Sequence, residues 1–245
     1  MPWTEESLNG HLLDVFEPVD PSPHNYVVVY LHGVHLQRLL DKQAFLDEFE
    51  RHGLRCVAPM TQRSWWTDRI CEEFDKTCTA ERHLLDRVLP FIETRWGVGP
   101  PRVALLGTSM GGQGALRLSY KYPDRFPVTA AIAPAIDYYL RMQRGGDETL
   151  PGMYRDSEQA RQDSAILHIH PLNWPRHQFF CCDPTDSWWD SADRLKMKLD
   201  SLGIPSETDL ETVAGGHGFG YYEAMAPQAV SFLAERLERE RLRVL

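Results

Sequence analysis

The sequence predicts an α/β fold in which a mostly parallel sheet carries helices on both faces. Three observations support this: apolar runs of strand length, amphipathic stretches of helix length between them, and a regular alternation of the two along most of the 245 residues. With 42% hydrophobic composition, a chain of this length can bury one sizeable core, so a single domain over residues 1–245 is expected.

Residues 26–31 (YVVVYL), closed by His32-Gly33, have the β-branched and aromatic composition of a strand buried on both faces. Residues 41–52 place Phe45 and Phe49 one helical turn apart, Gly53 can cap that helix, and residues 54–58 read as the next strand. Residues 79–96 align Leu84, Leu85, Val88, Leu89 and Ile92 on one helical face, and Pro90 is expected to kink the helix. A strand at 102–106, a helix at 110–121 stopped by Pro123, and strands at 128–133 and 178–182 follow. A helix at 191–202, a strand at 206–213 and a final helix at about 222–240 complete the run. Between Pro134 and Pro175 the alternation lapses, and residues 134–175 are expected to form a small lid-like insertion.

Charge and cysteine usage exclude several function classes. Lys and Arg total 26 against 35 Asp and Glu, a formal charge of −9 with no long basic stretch, which argues against a nucleic-acid partner. The first ten residues hold Glu5 and Glu6 and no apolar run, and no apolar span is long enough to cross a membrane, so a cytoplasmic protein is expected. The 5 cysteines lack CxxC pairing, which points to reduced thiols rather than a disulfide or zinc framework. His168, His170 and His177 include an HxH spacing, but no third ligand is spaced to close a metal site, and no metal or cofactor is expected.

Gly107-Thr108-Ser109-Met110-Gly111 matches GxSxG. Such a triple arises by chance in roughly one chain of this length in ten, so its context decides. It directly follows the strand RVALL and opens the helix GGQGALRLSYKY, the strand-turn-helix setting of a nucleophile elbow in the α/β-hydrolase fold. The turn lifts the serine hydroxyl above the sheet in a strained backbone conformation, and side chains at 107 or 111 would collide there. Ser109 is therefore the candidate nucleophile, and the amide of Met110 a natural oxyanion donor.

A serine hydroxyl needs an imidazole to take its proton and a carboxylate to hold that imidazole in the right tautomer. His217 lies in Ala214-Gly215-Gly216-His217-Gly218, a loop after the last strand and before the last helix, and is the candidate base. The acid belongs after the preceding strand, where Asp183-Pro184-Thr185-Asp186 offers two candidates. Asp186 is preferred because Asp183-Pro184 resembles a turn entry in which the first Asp caps its own backbone, and Asp183 stays as the alternative. The second oxyanion donor is expected in the loop after the first central strand, from Val34 with Gly33 beside it. His32 is expected beneath the site, while His35, Trp65, Trp66 and Trp188 are candidates for the walls of a substrate pocket. Glu158, Arg161 and Asp163 read as a structural ion-pair cluster.

LLGTSMGGQGALRLSYKYPD, CDPTD, GIPSETDL and AGGHGFGYY together resemble the esterase D and S-formylglutathione hydrolase branch of the α/β-hydrolases, a group that also holds feruloyl esterases and mycolyl transferases. The resemblance covers most of the chain from residue 100 onward, with the strand-HG at 26–33 adding the oxyanion region. In that group a glycine often stands where Asp183 stands and the catalytic acid follows three residues later, which favours Asp186. The chain departs from the group at Thr108, where histidine is frequent, and in the residues around the oxyanion loop. The resemblance implies a serine esterase acting on a small acyl ester. Thioesterase, acyltransferase or peptidase chemistry would use the same residues, and a hydrolase-like binding protein without turnover is the alternative from another class.

Overall fold

Six of the expected apolar runs become strands of one eight-stranded sheet, seen in a computed structural model that describes residues 3–146 and 149–243. The strands are β1 (Trp3–Leu8), β2 (His11–Phe16), β3 (Val27–Leu31), β4 (Arg55–Pro59), β5 (Val103–Thr108), β6 (Val128–Ile132), β7 (His177–Cys181) and β8 (Glu207–Asp209). Their order across the sheet is β1-β2-β4-β3-β5-β6-β7-β8. Only β1 with β2 and β2 with β4 pair antiparallel; the rest of the sheet is parallel. Strands β3 to β6 are buried at every position, as parallel strands covered on both faces must be. Successive residues feed opposite layers: Val27, Val29 and Leu31 enter one core while Val28 and Tyr30 enter the other.

On the second of these faces lie α1 (Gln43–Arg51) and α9 (Phe219–Arg243). The first face carries α2 (Ala80–His83), α3 (Leu89–Trp96), α4 (Met110–Lys121) and α8 (Trp189–Ser201). Gly53 closes α1 as expected: at φ +60° it passes its N–H to the Glu50 carbonyl, and the Leu54 N–H returns to the Phe49 carbonyl. The stretch from Ala80 to Trp96 is helical throughout, and its irregularity precedes Pro90. A π turn at Leu84–Val88 sends the Leu89 N–H to the Leu84 carbonyl, one residue further back than an α-helix would. Strand β8 is shorter than residues 206–213 because its Asp209 turns the chain, accepting the amides of Glu211 and Thr212.

The β1–β2 hairpin was not among the expected elements. Its two-residue turn, Asn9-Gly10, has φ +54° and +84°, the double left-handed conformation that matches the twist of paired strands.

Residues 134–175 contain α5 (Tyr138–Arg144), α6 (Thr149–Met153), α7 (Ser157–Gln162) and a 3-10 turn at Ala165–Leu167. Tyr138, Leu150, Tyr154, Ala160 and Ala165 join the first core. The segment is tied down by Arg117 of α4, whose side chain is almost wholly buried. Its guanidinium donates to Asp163 and to Glu81, and Glu81 also accepts from Lys121 and Tyr122. Asp163 accepts further bonds from Tyr154 and His168. Burial opposes charge on the Asp163 carboxyl, but His168, Arg117 and Tyr154 outweigh it and hold the group well below the usual carboxylate range. The expected cluster of Glu158, Arg161 and Asp163 is thus divided: Glu158 and Arg161 pair with each other on α7, while Asp163 turns inward.

Candidate active site

The turn between β5 and α4 is built by its glycines. A Cβ at Gly107 would lie 2.0 Å from the Gly111 carbonyl oxygen, and one at Gly111 would lie 1.8 Å from the Leu31 carbonyl oxygen. Ser109 between them takes φ +55°, a left-handed conformation that costs a non-glycine residue on the order of 1–3 kcal/mol. Its backbone is fixed from both sides: the N–H donates to the Ile132 carbonyl, and the carbonyl accepts from Gln113 and Ala135.

Ser109 Oγ lies 2.8 Å from His217 Nε2, and His217 Nδ1 lies 2.6 Å from Asp186 Oδ2. An ionised carboxylate only accepts, so Nδ1 carries the proton and the Nε2 lone pair faces the serine hydroxyl. The Asp186 side chain is fully buried, and its other oxygen accepts the Trp188 N–H at 2.9 Å. The imidazole is flanked edge-on by Tyr222, with ring centroids 5.7 Å apart. Tyr222 was not singled out from the sequence; its only signal is its place one turn into the helix that follows the histidine loop.

The alternative acid, Asp183, does not touch His217. Its fully buried carboxylate accepts four bonds: Oδ1 from the N–H and hydroxyl of Thr185, and Oδ2 from the N–H groups of Ala214 and Gly216. The first pair is the self-capping turn expected at Asp183-Pro184.

The Gly33 backbone runs alongside the serine, so that a Cβ there would stand 3.2 Å from Ser109 Cβ. The Leu36 N–H closes a turn onto the Gly33 carbonyl, which places half-buried Val34 and exposed His35 at the tip of this loop. Met110 opens α4, and the first amides of a helix have no acceptor within it. His32 sits beneath: Nε2 accepts the Thr61 N–H and Nδ1 donates to the Gly33 carbonyl. Burial pushes its pKa down to about 4, so the ring stays neutral and keeps one donor and one acceptor.

Trp65 and Trp66 correct an expectation. Both are core residues, 1% and 0% exposed, and have no surface to offer a substrate. Trp66 lies so close to α4 that a Cβ at Gly114 would meet it at 2.6 Å, and its indole N–H donates to the His32 carbonyl. Trp65 packs edge-on against Tyr138, whose hydroxyl donates to the Trp65 carbonyl. Trp188 is also buried, with the Arg144 guanidinium 4.9 Å above its ring. Of the three histidines considered for metal binding, His168 meets Asp163, His170 meets the Leu172 N–H and His177 meets Glu240. No group of three or more His, Cys, Asp or Glu able to hold a metal occurs among the described residues.

Comparison with known families matches residues 15–202 to the esterase family described as "Putative esterase". The chain belongs to this esterase family. It is a carboxylic-ester hydrolase with the α/β-hydrolase fold. No curated protein matches the sequence. Among solved structures, an S-formylglutathione hydrolase from Agrobacterium tumefaciens superposes with a TM-score of 0.76 at 18% identity, over 96% of this chain and 94% of that one. FphF of Staphylococcus aureus, a fluorophosphonate-binding serine hydrolase, gives 0.78 at 13% identity over 96% and 99%. Carboxyl esterase 2 from Tuber melanosporum gives 0.66 at 13% over 95% and 88%. At these identities the likeness establishes the fold. The family match stops short of His217, so the histidine loop stands on sequence order and geometry alone. No helix among the described residues is long and apolar enough to cross a membrane.

Proposed function

We propose that this esterase hydrolyses a small acyl ester through a covalent intermediate on Ser109, with His217 as general base and acid and Asp186 as the orienting carboxylate. The observation that carries the reading is the unbroken hydrogen-bonded series Ser109–His217–Asp186, with links of 2.8 and 2.6 Å, drawn from three segments far apart in sequence. Ser109 Oγ gives its proton to His217 Nε2 and attacks the acyl carbonyl carbon. The carbonyl oxygen becomes an oxyanion held by the amides of Met110 and Val34, each such donor being worth about 10²–10³ in rate. The imidazolium then protonates the departing alcohol oxygen as the C–O bond breaks, leaving the acyl-enzyme. Water surrenders a proton to His217, attacks the acyl carbon and releases the carboxylic acid, and the proton returns to Ser109.

The test is labelling of the folded protein by a fluorophosphonate, with Ser109→Ala as control. Labelling of the wild type alone supports the assignment, whereas no reaction with intact protein, or equal p-nitrophenyl acetate turnover in both forms, overturns it. A panel of esters, thioesters and amides then ranks the acyl chemistry.

A further inference from the structure

We infer that Asp183 is a positioning residue for the general base: its carboxylate staples the histidine loop to the acid loop and so fixes the direction of the His217 imidazole. The inference rests on the proposed role of His217.

The geometry divides the Asp183 carboxylate into two halves. Oδ1 faces its own loop and takes the N–H and hydroxyl of Thr185 at 2.8 and 2.7 Å. Oδ2 faces the other loop and takes the amides of Ala214 and Gly216 at 2.7 and 2.9 Å. Gly215 and Gly216 both have positive φ, +98° and +73°, which curls the chain so that two nearby amides converge on one oxygen. Gly216 also lies close under Thr185, where a Cβ would stand 3.4 Å from Oγ1. The next residue is His217. Its side chain is 28% accessible, and its ring meets Ser109 at Nε2, Asp186 at Nδ1 and the edge of Tyr222. The backbone that carries the ring is therefore set by a buried anion that never contacts it.

Two carboxylates three residues apart thus act on the same histidine. Asp186 sets the tautomer and Asp183 sets the place. Burial works against charge on Asp183, yet its donors hold the carboxyl well below the usual range, so the staple is ionised at neutral pH. A misplacement of about 1 Å in a catalytic group costs about 10²-fold in rate, which is the scale expected when the staple is removed.

The experiment compares Asp183→Ala, Asp183→Asn and Thr185→Val with the wild type. Hydrogen exchange of the peptide spanning 212–217 reads the staple without reference to activity. Fluorophosphonate labelling and p-nitrophenyl acetate kinetics read its effect on the base. Asp183→Ala is expected to speed exchange in 212–217 by at least about tenfold and to lower kcat by about 10²-fold, with KM changed less than about threefold. Asp183→Asn keeps one acceptor oxygen and is expected to fall between. Thr185→Val removes one bond on the Oδ1 side but leaves both histidine-loop amides on Oδ2, and is expected to lower kcat and speed exchange in 212–217 by less than Asp183→Ala does. Unchanged exchange in 212–217, a kcat within twofold of wild type in folded Asp183→Ala, or failure of both Asp183 variants to fold would each overturn the inference. If the wild type itself resists the fluorophosphonate while exchange responds to Asp183→Ala, the proposed function fails and the staple stands.

Discussion

Substituting Asp186 by Asn changes one oxygen to an NH2 and nothing else in volume, so its effect follows from the hydrogen bonds at the two ends of the carboxylate. Oδ1 accepts the Trp188 backbone N–H at 2.9 Å and Oδ2 accepts His217 Nδ1–H at 2.6 Å. An asparagine has only one acceptor for the two positions. The Trp188 amide is always a donor, whereas the imidazole can change tautomer. The asparagine oxygen is therefore expected to stay on Trp188 and its NH2 to face Nδ1. That moves the imidazole proton to Nε2, where it points at Ser109 Oγ and cannot accept the serine proton. A wrong tautomer with intact geometry is expected to lower kcat by about 10⁴-fold, or about 5.4 kcal/mol at 1.36 kcal/mol per tenfold. Stability is expected to change by no more than about 1 kcal/mol, because the Trp188 bond survives. Turnover of p-nitrophenyl acetate and a urea melt of the same preparation measure the two numbers. Asp183 offers no substitute acid, since both of its oxygens are already doubly engaged. A folded Asp186→Asn protein keeping more than a tenth of wild-type kcat would refute the tautomer argument.

The elbow glycines give a steric contrast: Gly111→Ala puts a methyl 1.8 Å from the Leu31 carbonyl oxygen, while Gly97→Ala, at φ +66°, meets open space. Urea melts are expected to show a loss of at least about 3 kcal/mol and no activity for the first, against about 1 kcal/mol and full activity for the second. Acid sensitivity is expected from His32 and His83, both buried, each with its pKa pushed down to about 4, chiefly by burial. The unfolded chain, with histidine near pKa ~6.5, binds more protons than the folded one between these values. Each histidine's contribution is therefore complete above pH ~6.5 and is lost as pH falls toward 4, by up to about 3 kcal/mol. His83→Leu is expected to lower the slope of stability against pH near pH 5 by about 1.2 kcal/mol per unit, the share of one histidine, and an unchanged slope would sink this account.

The elbow was legible because its constraint is local: five residues must turn between a strand and a helix, and only glycine fits at 107 and 111. Strands β3 to β7 were legible because burial leaves short, mostly apolar runs in which polar residues such as Arg55, Thr129 and His177 are few. The β1–β2 hairpin escaped because β1 is only partly buried and shows no clear apolar period, although Asn9-Gly10 was there to be read as a hairpin turn. The 134–175 segment was opaque for a different reason. What holds it in place is not in it: Asp163 answers to Arg117 and Tyr138 to the Trp65 carbonyl, partners 46 and 73 residues away. The tryptophans show the same limit from the other side. Nothing near Trp65-Trp66 in the sequence reveals that Gly114 and Tyr138 close over them, so a conspicuous aromatic pair stood as a candidate pocket wall when both rings are core, Trp66 against His32 and Trp65 against Tyr138. Asp183 combines both cases. Its turn with Thr185 spans two residues and could be read from Asp-Pro, but the oxygen facing the histidine loop serves amides 31 and 33 residues downstream. A carboxylate whose oxygens are all taken by other donors can still hold the loop on which the imidazole stands.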